Sequence, residues 1–116
     1  MNELTEKIKD YLEEMKVEDI SVLDLKDHTM FDAFVLGTCT SSRHLKASAE
    51  FVRFESKKAG HKCLSIETSE NWVAMDMGSV GIHLFREDVR ELYDLEGLWL
   101  EGKLDVGLVP NFLKGS

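Results

Sequence analysis

Residues 32–67 read D-A-F-V-L-G-T-C-T-S-S-R-H-L-K-A-S-A-E-F-V-R-F-E-S-K-K-A-G-H-K-C-L-S-I-E, and their parsing decides the fold. The run 32–39 is almost continuously apolar around Phe34, Val35 and Leu36, which suits a central strand better than a helix. Ser41 or Ser42 then stands where a hydroxyl can accept a backbone N–H that has no partner inside a helix. Leu45, Ala49, Val52 and Ala59 recur on one helical face, with Ala47, Phe51 and Phe54 beside it. Gly60 supplies the left-handed residue that stops the helix. K-C-L-S-I-E, 62–67, is the next strand. Strand–helix–strand units cross right-handed and set parallel strands, so the chain reads as α/β.

Outward from this unit, W-V-A-M-D-M-G-S-V-G-I-H-L-F, 72–85, forms a hairpin whose Gly78-Ser79 loop suits a type II′ turn. That turn pairs Met77 with Val80, Met75 with Ile82 and Val73 with Leu84, which puts six apolar side chains on one face and makes that face the core. On the other face Asp76 lies opposite Gly81, Ala74 opposite His83 and Trp72 opposite Phe85. At the N-terminus, Leu4, Ile8, Tyr11, Leu12 and Met15 mark an amphipathic helix over 3–16. I-S-V-L-D-L, 20–25, reads as a strand buried on both faces. R-E-D-V-R-E-L-Y, 86–93, starts a short last helix. The expected order is α-β-β-α-β-β-β-α, a single mixed sheet with flanking helices spanning 1–100. Residues 101–116 change to glycine-rich sequence with the single proline, Pro110, and read as an extended tail.

The bulk numbers restrict the function. A chain of 116 residues is one domain, and its net charge of -8 opposes bare nucleic acid or an anionic membrane overall. Positive charge is nonetheless gathered in 41–62, where Arg43, Lys46, Arg53, Lys57, Lys58 and Lys62 outnumber Glu50 and Glu55. No run is long enough to span a membrane and no leader peptide is apparent, which points to the cytoplasm or a cytosol-derived organelle. Cys39 and Cys63 lie in apolar strand-like runs, have no C-x-x-C spacing, and read as buried reduced thiols.

Four readings compete for the second hairpin face and the turn beside it. Asp76 and His83 are diagonal neighbours and can form an internal polar pair. The face or its rim can be a docking surface with Trp72 as anchor. Asp76 and His83 can be a catalytic dyad, but no nucleophile or set of donors for a developing charge stands with them. T-S-S-R-H can hold a phosphate on a helix N-terminus, but neither G-x-G-x-x-G nor G-x-x-x-x-G-K-[ST] is present, and capping is the better role for the serines. The residues assign no metal and no cofactor.

Three motifs together resemble the ribosomal silencing factor, or Iojap-like, family: D-x-F-V-(x)-G-T-x-T-S-S-R-H-(x)-K-A, N-W-V-(x)-M-D-M-G-S-V-(x)-I-H-L-F and R-E-L-Y-D-L-E-G-L-W. The resemblance runs from about the first helix to Trp99. It implies a nucleotidyltransferase-like topology without enzymatic activity. It further implies binding to the large ribosomal subunit through its fourteenth protein, on the face that meets the small subunit, so that joining is blocked and translation repressed. Organellar relatives imply an alternative role in large-subunit assembly, with a mitochondrial or plastid location if the source is eukaryotic. The family also implies a capacity to form homodimers, and no sequence-specific contact with nucleic acid. The motif falls on Ser42, Arg43, His44, Gly78, Arg90, Leu95 and Trp99. Contact with the ribosomal protein is expected from Trp72, Met75, Asp76, Met77 and His83, together with Tyr93 and Leu98. By this resemblance, relatives usually carry an acid where Ser79 stands and an aliphatic residue where Gly81 stands. Acids of the C-terminal part, Glu87, Asp88, Glu91, Asp94 and Glu96, are placed to steer the encounter with a basic partner.

Overall fold

The amphipathic first segment becomes helix α1, Glu3–Glu14, burying Leu4, Thr5, Ile8 and Leu12. The structure, a computed structural model, describes residues 3–24 and 31–88. Lys16 takes the left-handed conformation (φ 61°) that ends α1, and Val17 N–H returns to the Leu12 carbonyl at 3.0 Å. Strands β1 (Glu18–Asp24), β2 (Ala33–Cys39), β3 (Ser65–Thr68), β4 (Trp72–Asp76) and β5 (Val80–Arg86) form one mixed sheet in the order β1-β2-β5-β4-β3. Helix α2, Ser42–Lys58, connects β2 to β3.

The order explains why the strands differ in composition. The two strands whose residues are apolar and buried almost throughout, β2 and β5, lie side by side and parallel near the centre. The polar S-I-E-T segment becomes the exposed edge strand β3. The parallel relation expected across the strand–helix–strand unit therefore holds in direction but not in adjacency, because β5 and β4 lie between β2 and β3. Strand β1, expected to be buried on both faces, is instead the other edge: only Leu23 in it is fully buried, and the pairing with β2 shifts between Glu18 and Ser21, where Asp19 has φ 49°.

The hairpin register is the one the turn dictates. Trp72 pairs with Phe85, Val73 with Leu84, Ala74 with His83, Met75 with Ile82 and Asp76 with Gly81. Gly78 has φ 93°, and Met77 N–H reaches the Val80 carbonyl at 2.9 Å. Val35, Cys39, Val73, Met75, Met77, Val80, Ile82 and Leu84 join Leu4, Ile8, Leu12, Leu45, Ala49 and Val52 in the core between sheet and helices. Both described helices thus pack on this face. Full burial of side chains of Leu size or larger stabilises by about 1.5–3 kcal/mol each, so this layer dominates the fold.

The inner face of α2 differs from expectation in detail. Ser48 and Ser56 are buried there with Leu45, Ala49 and Val52, whereas Ala59 is exposed at the C-cap and Phe54 stands 63 % exposed. Helical rotation explains this, since Phe54 lies half a turn from the Leu45–Ala49–Val52 stripe. The opposite sheet face is also covered: Phe34, Leu36, His83 and Phe85 are all 1 % exposed or less. Gly81 is needed there, because a Cβ would sit 2.8 Å from the Phe34 ring. The helix expected from Arg86, and the tail, run into residues 89–116, outside the described residues.

Candidate functional site

The T-S-S-R-H turn, 40–44, is bonded internally. Ser41 Oγ accepts the His44 N–H at 3.1 Å and caps α2, the role favoured for it by the sequence. His44 Nδ1 accepts the Thr40 N–H at 3.1 Å, so its proton sits on Nε2, which donates to the Met15 carbonyl at 2.7 Å. Ser42 Oγ donates to the Glu70 carbonyl at 2.7 Å. The turn therefore ties the start of α2 to the end of α1 and to the β3–β4 loop. Of the motif residues Ser42, Arg43 and His44, Arg43 is exposed and the other two are half-buried.

That loop carries Trp72. Ser69 Oγ accepts the N–H groups of Asn71 (3.1 Å) and Trp72 (3.2 Å), while Ser69 N–H donates to the Trp72 carbonyl at 2.9 Å. The Asn71 carbonyl accepts the Arg86 N–H at 2.9 Å. The indole is partly exposed at one end of the second face, on a backbone fixed from three sides. Ser69 and the Ser42–Glu70 bond were not singled out from sequence. A serine three residues before the aromatic is the signal of such a turn, but it is common enough to be passed over.

Asp76, at the other end of β4, is also partly exposed. Its Oδ1 accepts the Gly78 N–H at 2.8 Å and so braces the hairpin turn. Gly78, from the family motif, provides the turn itself. His83 is placed differently from expectation. Its ring packs 4.5 Å from that of Phe34 and stacks at 6.3 Å on Phe85, and burial pushes its imidazole pKa down to about 3. An imidazole held neutral to that degree is a poor proton acceptor near neutral pH, which weighs against a catalytic dyad. Met75 and Met77 face the core. Met75, Met77 and His83, expected to touch a partner, are all buried in the free chain. Trp72 and Asp76 keep exposed surface. Arg90, Tyr93, Leu95, Leu98 and Trp99 lie outside the described residues.

Cys39 is fully buried, and desolvation raises its thiol to about 11. Cys63, expected to be buried, is partly exposed; its S–H donates to the Ser65 carbonyl at 3.2 Å, and neither cysteine is in a disulfide. A recess of about 350 Å³ beside the turn is lined by Thr40, Arg86, Glu87 and Asp88, with the Arg86 guanidinium 3.1 Å from both Asp88 carboxylate oxygens. Among the described residues, no group of three or more His, Cys, Asp and Glu could hold a metal ion, and no helix is long and apolar enough to cross a membrane.

Residues 1–111 match the family described as "Ribosomal silencing factor during starvation". The chain belongs to this family. A ribosomal silencing factor of Chromobacterium violaceum is 35 % identical over 108 residues, covering 90 % of this chain and 84 % of that protein. A mouse protein named "Mitochondrial assembly of ribosomal large subunit protein 1" is 30 % identical over 94 residues, 76 % of this chain and 41 % of its own length. Among solved structures, one from Chromobacterium violaceum superposes with a TM-score of 0.79 at 35 % identity, covering 85 % of this chain and 87 % of that one. Another from Bacillus halodurans gives 0.76 at 28 % identity, covering 84 % and 93 %. These solved structures thus share the α/β fold of this chain, and the family's name is that of a regulatory protein.

Proposed function

We propose that this protein binds the large ribosomal subunit and, by occupying the surface that the small subunit needs, keeps the two apart and represses translation. The observation that carries this reading is the family match over residues 1–111. The mechanism is steric and involves no covalent step. The partner proposed is the fourteenth protein of the large subunit, met at the rim of the second sheet face, where Trp72 is the anchor and Asp76 flanks it. Two features support that choice. The hydrogen bonds around Ser69 hold the Trp72 backbone before any partner arrives, which lowers the entropy lost on binding. The net charge of -8 favours a basic protein surface over bare RNA at this rim. The working compartment is the one that holds the ribosome, the cytoplasm in a bacterium.

Truncating a central aromatic anchor typically costs about 2 kcal/mol or more, which is more than tenfold in affinity. Trp72→Ala is therefore expected to fold normally and to lose at least about tenfold in co-sedimentation with isolated large subunits. Undiminished co-sedimentation would remove Trp72 from the contact. A second reading, retention on assembling large subunits, is favoured by the name of the mouse relative. Sucrose gradients of growing cells separate the two: mature large subunits carry the protein under the first, precursor particles under the second.

A further inference from the structure

Charge is divided unevenly along this chain. Residues 41–62 carry a net +4, leaving -12 on the remainder. The structure places most of that positive charge on α2, whose inner side is used up by Leu45, Ala49, Val52 and Ser56. At about 100° per residue, Arg43, Glu50, Phe54 and Lys57 fall within about 60° of one another on the outer side. All four are exposed, as are Lys46, Arg53 and Lys58 on the same helix. Glu50 is taken up by Arg53 at 2.7 Å, which leaves Arg43, Lys46 and Lys57 as the stripe's cations without a carboxylate partner among the described residues.

The stripe also holds an aromatic ring where physical economy would not place one. Phe54 and Leu64 are the exposed large hydrophobic residues of the described chain, and Phe54 is 63 % exposed. The Lys58 ammonium lies 5.2 Å from its ring centroid and 3.1 Å from Glu55. A flat apolar ring set among cations is the combination that binds an unpaired nucleotide, with the base on the ring and the phosphates on the charges. From Arg43 to Lys57 the helix rises about 21 Å, room for several phosphates of an extended strand.

We propose that the outer face of α2 binds a single-stranded RNA segment, stacking an unpaired base on Phe54 and holding its phosphates with Arg43, Lys46 and Lys57. The choice of RNA over DNA rests on the ribosomal function proposed above; the site itself does not. Phe54 and Trp72 sit on opposite sides of the sheet, since Trp72 alternates with the core residue Val73. The RNA site is thus separate from the protein contact, and the two can fail independently.

The test is titration of the full chain into a labelled, unstructured oligouridylate at several salt concentrations. Saturable binding is expected at about 50 mM salt, with log K falling by about 0.7 per phosphate contact for each tenfold rise in salt. Phe54→Ala should weaken binding at least about fivefold, as expected for one stacked base. Arg43→Gln with Lys57→Gln should make the salt slope shallower by about 1.4. All three side chains are exposed, so the variants keep the fold, and Trp72→Ala should bind oligouridylate as the natural chain does. Absence of binding at low salt, tighter binding of duplex RNA, or equal binding by Phe54→Ala would overturn the proposal. So would anionic phosphatidylglycerol vesicles that bind more tightly than the oligonucleotide, which would make the stripe a membrane surface. Preference for oligothymidylate over oligouridylate would overturn the choice of RNA.

Discussion

At 1 % exposed and packed between the rings of Phe34 and Phe85, the His83 imidazole contributes to stability in a pH-dependent way. Its pKa of about 3 in the fold lies below the value near 6.5 of an unfolded histidine. Between those values the unfolded chain holds a proton that the folded chain does not. Stability from this residue is therefore fully present above about pH 6.5 and is lost as pH falls towards 3, by at most about 1.4 kcal/mol per pH unit. His83→Gln is expected to flatten that limb in urea unfolding measured at stepped pH. Parallel curves for the two proteins would show that His83 does not drive it. Gly81 belongs to the same packing, because the space its missing side chain leaves is filled by Phe34. The sequence marked Gly81 only as a departure from relatives that carry an aliphatic residue; which neighbour occupies the gap is a three-dimensional fact.

Among the elements, the turn at 40–44 joins more of the molecule than its length suggests. Its strand–turn–helix character and its serine cap were readable, since a hydroxyl before a helical stripe has few other uses. Its longer-range bonds were not: Met15 and Glu70 lie 29 and 28 residues from their partners His44 and Ser42. Ser41→Ala is expected to lower stability by about 1 kcal/mol, seen as a lower urea midpoint with an unchanged slope. Ser42→Ala should act elsewhere. With the Glu70 carbonyl released, amide exchange at Asn71 and Trp72 should speed up while the middle of α2 stays protected. Faster exchange throughout α2 instead would mean that Ser42 supports the helix rather than the loop under Trp72. Composition also sorted the strands: the apolar runs 33–39 and 80–86 became the adjacent, near-central β2 and β5. Edge positions were harder to read, because β1 carries enough Ile, Val and Leu to pass for a buried strand.

At the scale of the whole molecule, the described residues form one sheet with both of their helices on a single face, which gives two unlike exteriors. One is the helical layer with the α2 stripe; the other is the rim holding Trp72 and Asp76. Residues on such separate surfaces share no partners, and their effects on binding should add within about 0.5 kcal/mol. Trp72→Ala combined with Phe54→Ala is thus expected to lower large-subunit affinity by the product of the single effects, measured by sedimentation of labelled protein. A large coupling between them would mean that the two surfaces act as one. The sequence by itself determined the α/β class, the hairpin register and the family, because these rest on local turn chemistry, the period-two alternation of apolar residues and contiguous motifs. Only the tertiary structure decided which of the hairpin residues remain accessible. Alternation assigns a side chain to a face, but whether that face is covered depends on what packs over it from distant parts of the chain. That is why His83, Met75 and Met77 are interior while Trp72 and Asp76 reach the surface.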